Sequence, residues 1–349
     1  MTIGTVAVPR MALAGRMTNV ALAVVLSIAL GTGAAAFAVG TGWDRWVATV
    51  HGAAGFGLLL IVPWKWPIVR RGTRRRGGVW AAPAAVFAFL VVTSLAAGAA
   101  HSTGLLRTTG PLTAMQVHVG AALLAVPFAI WHVLARPVRL RRTDLSRRTL
   151  LRAGGIAAGS LALYGISAGA IDLVGAPGSR RRATGSFDDS ATPTVADDLP
   201  VTQWLFDRVP AINSASWRLM VVEADERREL MLEALDAMRE PVEATIDCTG
   251  GWYSTQTWEG ARLDRLIDTA GARSVVVSSE TGYSRRFPAR DAPRLWLATR
   301  VGGLPLQLEH GFPARLVAPG RRGFWWVKWV TRIERSDEPW WWQSPFPLR

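Results

Sequence analysis

The chain has 349 residues, half of them hydrophobic, and a formal net charge of +14. So large an apolar share excludes a single ordinary soluble domain, and the length accommodates two units. The charge does not point to nucleic acid once it is divided. Residues 1–182 carry 20 Lys and Arg against three acids (Asp44, Asp144 and Asp172), whereas residues 183–349 carry 20 against 23. The basic surplus belongs to the hydrophobic half, where it flanks apolar runs as the positive-inside rule expects.

In chain order, uncharged stretches cover 17–43, 46–64, 77–106, 108–135 and 153–171. Each is long enough to cross a bilayer core of about 30 Å as a helix. They predict a membrane domain over residues 1–176, an α-helical bundle of five transmembrane helices at about 17–40, 46–64, 80–101, 113–135 and 153–174, in contact with membrane lipid. Arg10 and Arg16 precede the first span; Lys65, Arg70, Arg71, Arg74, Arg75 and Arg76 lie between the second and third; seven Arg lie between the fourth and fifth. The opposite loops hold only Arg45 and Arg107. The N terminus is therefore expected inside the cytoplasmic membrane, and everything after the fifth helix outside it. Before that helix, Ser146-Arg147-Arg148-Thr149-Leu150-Leu151-Arg152 resembles the twin-arginine export motif. It implies a twin-arginine translocase as partner, a route that carries folded cargo.

Four of the five histidines, His51, His101, His118 and His132, lie in or at the edge of the hydrophobic half. Ionisable side chains inside a bilayer are costly and usually functional, and neutral imidazole is a standard axial ligand of haem iron. On one predicted helix His118 and His132 are separated by about 21 Å and roughly 40° of rotation, so they share a face at two depths. That spacing resembles the membrane cytochromes b, which implies haem b and a quinone or another electron-transfer partner. His51 and His118 both fall in the outer half of their helices and are expected to form one bis-histidine site. His132, near the inner face, and His101, at the outer end of the third helix, are further candidates. Interfacial or helix-packing histidines without haem are the alternative reading.

Residues 177–200, rich in Gly, Ser, Thr, Pro and Asp, read as a linker. From 201 to 349 short β-rich runs take over. Strands are expected at 217–223, 242–248, 274–279, 295–299, 314–318 and 324–333, and helices at 227–238 and 261–270. This is an α+β domain of about 150 residues, large enough for its own core. Trp340, Trp341 and Trp342 near its end are expected at the outer membrane surface or against the anchor.

Cys248 is the lone cysteine. One thiol has no framework role, and on composition alone it would be a small buried hydrophobe. Its setting is more specific. Asp247-Cys248-Thr249-Gly250-Gly251-Trp252 is followed by Trp258-Glu259-Gly260 and an apolar run from Leu263 to Ile267. Downstream stand Glu309-His310-Gly311-Phe312-Pro313-Ala314-Arg315-Leu316-Val317, Pro319-Gly320, Gly323 and Val327-Lys328-Trp329-Val330. Both segments resemble the sulfite oxidase superfamily of molybdenum-cofactor enzymes. The resemblance implies a sulfite-oxidase-like molybdopterin-binding domain in which Cys248 ligates molybdenum beside a pterin dithiolene. It further implies cofactor contacts from Thr281, His310, Arg315, Trp326, Val327 and Lys328, and oxygen-atom transfer on a small oxyanion or sulfoxide. The residue types agree with these roles. A thiolate is a soft metal ligand, Arg offers a planar fork to phosphate or pterin, and Lys offers a point charge. The rival reading is a membrane receptor or scaffold whose degenerate domain keeps Cys248 as a core thiol.

Overall fold

The computed structural model describes residues 9–38, 43–75, 81–106, 108–109, 112–135, 137–138, 144, 146–189, 199–202, 208–223 and 226–344. The chain separates into two units, residues 1–36 with 43–185, and residues 37–42 with 186–349.

The first unit is built from α1 (Pro9–Ala38), α2 (Asp44–Arg75), α3 (Ala81–Thr103), α4 (Ala114–Leu134) and α5 (Arg147–Leu173), with a short ladder of β1 (Thr108–Thr109) and β2 (Leu112–Thr113) before α4. All five helices are long and apolar enough to cross a membrane. Helix α2 overruns its expected end, passing Pro63 and Pro67 to reach Arg75, and α5 begins at the arginine pair because Ser146 caps it, accepting a hydrogen bond from Thr149 N. Helix α4 starts in a capping box of Thr113 and Gln116. Helix α3 packs along α4, and α2 along α5. Small residues permit the second approach: a Cβ at Gly52 would collide with the Tyr164 ring, and one at Gly57 would press on Ser160 Oγ at 3.1 Å. Arg16 of α1 donates to the Asp144 carboxylate (Nη1 to Oδ2, 2.8 Å), tying α1 to the connection between α4 and α5.

The expected linker is ordered in part. Pro177–Arg180 form a 3-10 turn on α3, close enough that any side chain at Gly178 would strike the Ser102 and Thr103 backbone. Residues 190–198 lie outside the described residues.

The second unit contains β3 (Phe187–Asp188), β4 (Leu219–Glu223), β5 (Glu226–Leu230), α6 (Leu232–Ala237), β6 (Glu240–Asp247), β7 (Trp252–Arg262), α7 (Leu263–Leu266), β8 (Ser274–Ser279), β9 (Ser284–Pro288), β10 (Trp296–Val301), β11 (Leu304–Pro305), β12 (Arg315–Val317) and β13 (Val330–Ser336). Among the described residues one sheet runs β11-β10-β7-β3, with β12 also on β10 and β6 on β7; a second runs β5-β4-β13-β8-β9. Leu219, Val221, Val275, Val277, Leu297, Leu316 and Ile333 form a continuous core with Trp258 and Phe287.

Three expected elements differ. The helix expected over 227–238 is strand β5 followed by only six helical residues. Its charged Glu-Arg-Arg-Glu sequence sits on an edge strand, where pairing with β4 and solvent on the side chains override helical propensity. The helix expected over 261–270 shrinks to one turn, because β7 continues to Arg262 in register with β6 and β10. Strand 324–333 begins instead at Val330, after a 3-10 turn at Gly323–Trp325. The tail is bound to its own domain: Trp340 packs on the core, and the Gln343 side chain accepts from Arg286 N (3.0 Å) and donates to Arg286 O (2.8 Å), while Trp341 and Trp342 stay exposed.

Candidate functional site

Strand β6 delivers Cys248 to a tight turn closed by Cys248 N to Trp252 O (2.8 Å) and Gly251 N to Cys248 O (3.2 Å). The sulfur accepts the Gly250 N–H at 3.3 Å and lies 3.4 Å from Thr202 Oγ1. It opens on a pocket whose wall includes Leu199, Trp252, Trp258, His310, Arg315, Trp326 and Lys328. The pocket is open to solvent at its mouth, and with that open space included its empty volume is about 750 Å³.

Gly311 brings three of these side chains together. At φ 108° it occupies the left-handed region, and a Cβ there would sit 3.1 Å from Lys328 Cβ and 3.2 Å from Arg315 Cβ. His310 precedes it, buried, with Nε2 2.8 Å from Leu199 O and, among the described residues, no hydrogen-bond partner at Nδ1. Burial pushes its pKa below the ordinary value, so the ring is neutral and Nδ1 offers a lone pair.

Arg315 is buried against two indoles that pack on each other, its guanidinium carbon 5.5 Å from the Trp258 ring and 5.8 Å from that of Trp326. Nη1 donates to His310 O at 3.1 Å, and Nε has no partner among the described residues. Among the described residues no carboxylate pairs with it. Burial lowers its pKa to about 10, with Cys248 acting in the opposite direction. Lys328 Nζ donates to Thr202 O (3.0 Å) and Glu309 O (2.6 Å). A buried guanidinium without an acid, an open imidazole nitrogen and a soft sulfur on one wall fit an anionic metal cofactor.

Five of the expected residues, Cys248, His310, Arg315, Trp326 and Lys328, thus share one pocket. The other two do not line it. Thr281 turns its hydroxyl to Ser279 Oγ (3.2 Å), and the Val327 carbonyl is taken by Leu316 N (2.8 Å). Sequence reasoning missed Leu199, Thr202, Ser279 and Tyr283. The first two lie at the edge of a segment read as linker and carry no motif. They reach the site through long-range bonds to His310, Cys248 and Trp252, the last donating Nε1 to Thr202 Oγ1 at 3.2 Å.

In the first unit His51 and His118 approach edge to face, ring centroids 5.7 Å apart. Each holds a backbone carbonyl of another helix through Nδ1: His51 to Ala29 O (3.0 Å) and His118 to Ser94 O (2.7 Å). That fixes the tautomer and leaves both Nε2 atoms as lone-pair donors. His101 is differently used, buried with Nε2 2.7 Å from Gly185 O. His132 lies beside Phe87 with the rings tilted, centroids 5.8 Å apart.

Comparison with known proteins agrees with the second unit. Residues 206–343 match the family model of the oxidoreductase molybdopterin binding domain. The mitochondrial sulfite oxidase of Rattus norvegicus is 29% identical over 168 residues, a match covering 37% of this chain and 31% of that protein. The uncharacterized oxidoreductase YuiH of Bacillus subtilis is 31% identical over 107 residues, covering 28% and 54%. The sulfane dehydrogenase SoxCD of Paracoccus pantotrophus, a solved structure, is 25% identical over 37% of this chain and 40% of its own, with a TM-score of 0.35. The chain therefore carries a molybdopterin-binding oxidoreductase domain similar to that of sulfite oxidases, and spans about a third of the length of those sulfite oxidases.

Proposed function

We propose that this protein is a membrane-bound molybdenum-cofactor oxidoreductase that performs oxygen-atom transfer on a small oxyanion or sulfoxide outside the cytoplasmic membrane. The observation that carries the reading is the convergence on one pocket of Cys248 and the buried Arg315, which has no carboxylate partner among the described residues. Molybdenum held by a pterin dithiolene supplies two-electron oxygen-atom chemistry when bound. Cys248 gives the soft sulfur ligand. Arg315 and Lys328 offer positive charge to the anionic parts of the cofactor, and neutral His310 accepts a hydrogen bond at Nδ1. Trp258 and Trp326, both buried, form an apolar part of the wall.

Metal analysis of protein made alongside cofactor synthesis tests this. About one molybdenum per chain is expected, with turnover in Cys248→Ser reduced beyond the ~10–100-fold typical of losing an outer-shell partner. A molybdenum content near zero would instead favour the receptor or scaffold reading.

In the first unit His51 and His118 are the residues that would hold a haem b, which would supply single-electron exchange with a quinone or another carrier. Haem moves single electrons when bound. The two tethered imidazoles support that assignment, and His101, committed to Gly185, drops out of it. A reduced-minus-oxidised spectrum with b-type bands that vanish in His51→Ala or His118→Ala and survive in His101→Ala is the expected result. Bands that persist in both variants would remove the pair as ligands. Export by the twin-arginine route places the second unit outside; Arg147→Lys with Arg148→Lys should strand it in the cytoplasm, as protease protection of spheroplasts would report.

A further inference from the structure

Behind the turn that presents Cys248 lies a buried polar network that does not line the pocket. Ser186, Asp247 and Arg322 are 0%, 6% and 3% exposed. Arg322 pairs with Asp247, donates through Nη2 to Cys248 O at 3.3 Å, and reaches Ser186 Oγ through Nη1 at 3.4 Å. Ser186 Oγ donates to Asp247 Oδ1 at 2.6 Å and lies 3.3 Å from the same Cys248 carbonyl. The backbone repeats the connection. Asp247 and Arg322 form an isolated parallel bridge, and a Cβ at Gly323 would stand 3.1 Å from Cys248 Cα. Ser186 is carried in by β3, which pairs with β7.

The geometry points to Arg322 as a positioning residue for Cys248: with Asp247 and Ser186 it fixes the peptide from which the sulfur reaches the metal. Stability alone does not account for this arrangement. Desolvating two charges offsets most of their attraction, and buried pairs replaced by well-packed apolar residues are often no less stable. The guanidinium is the group that can do the work. Its planar fork serves a carboxylate, a hydroxyl and a carbonyl at once, which a lysine ammonium cannot match at those angles. Arg322 reaches the Cys248 carbonyl but is not part of the pocket wall. Its action passes through the thiolate.

The inference rests on Cys248 being the metal ligand, and the test separates the two. In the full-length, cofactor-loaded protein, Arg322→Lys and the apolar pair Arg322→Met with Asp247→Leu are compared with wild type by molybdenum content, melting temperature and the Mo(V) electron paramagnetic resonance signal. The expected outcome is a folded protein with a shifted or heterogeneous Mo(V) signal and turnover lower by about tenfold, the size usual for an outer-shell partner. Loss of molybdenum at unchanged melting temperature counts the same way. Folded variants with wild-type metal content and a wild-type Mo(V) signal would overturn the proposal. If the wild-type protein holds no molybdenum, the ligand reading fails, and alkylation of the sole cysteine by iodoacetamide decides on positioning alone. A rate raised severalfold in Arg322→Lys sustains it, and an unchanged rate ends it.

Discussion

Arg315 and Arg322 are both buried beside Cys248, seven positions apart, and are treated in opposite ways. The chain supplies Arg322 with Asp247, Ser186 and a carbonyl. It supplies Arg315 with two indole faces and one carbonyl, and with no acid among the described residues. A buried cation with its own carboxylate belongs to the scaffold. One without it carries an unmet desolvation cost that a bound anion would relieve. The pocket side of Cys248 is thus built for a ligand, and the far side for rigidity.

The largest expected effect separating the two is on folding. Arg322→Met leaves Asp247 buried without its guanidinium and should cost ~3–5 kcal/mol of unfolding free energy, the usual result of breaking such a pair from one side. Arg315→Met strands no acid. Since burial lowers the Arg315 pKa to about 10, the charged form is disfavoured by folding at neutral pH, and its removal should leave stability unchanged or raised. Cofactor retention should fall in Arg315→Met all the same. Denaturant unfolding of cofactor-free protein beside metal analysis of loaded protein checks both. Equal destabilisation by the two substitutions would erase the distinction.

The pocket side was the more legible half in sequence. Cys248 with Gly250 and Gly251, and His310 with Arg315 and Lys328, occur as two nearly continuous motifs, because the turns that present them are local. The far side was not legible. Ser186 meets Asp247 across 61 positions and Arg322 across 136, and nothing in a serine after Gly185 or an arginine in Arg321-Arg322 announces such a meeting. Thr281 and Val327 show the limit of reading a resemblance residue by residue, since the Thr281 hydroxyl turns to Ser279 and the Val327 carbonyl to Leu316 N. The five helices were legible because length and apolarity suffice, whereas the task of His101 depends on Gly185, 84 positions away.

The membrane histidines repeat the contrast on a smaller scale, with His101 bound to the chain at Nε2 and His51 and His118 bound only at Nδ1. A side chain at Gly98 would place its Cβ 2.9 Å from His118 Nδ1. Gly98→Val should therefore turn that ring and lower haem content, while the corresponding change at Gly120, which has open space, should not. Pyridine haemochrome content per chain measures the difference; equal losses would mean that the substitutions act on helix packing rather than on the ring.

The smallest expected effect concerns His310, the neutral member of the pocket. Burial lowers its folded pKa from the ordinary 6.5. Above pH 6.5 the ring is neutral in both folded and unfolded chains, so it adds no pH dependence. As pH falls from 6.5 towards the lower folded value, the unfolded chain takes up a proton that the folded one refuses, and stability declines, by at most one proton of linkage. Below the folded value the decline from this residue stops. His310→Gln keeps an N–H for Leu199 O and removes the titration. Its melting temperature should accordingly lose less than wild type between neutral and mildly acid pH, and parallel curves would mean that His310 titrates normally and that its pocket is wetter than the closed packing around Leu199 implies.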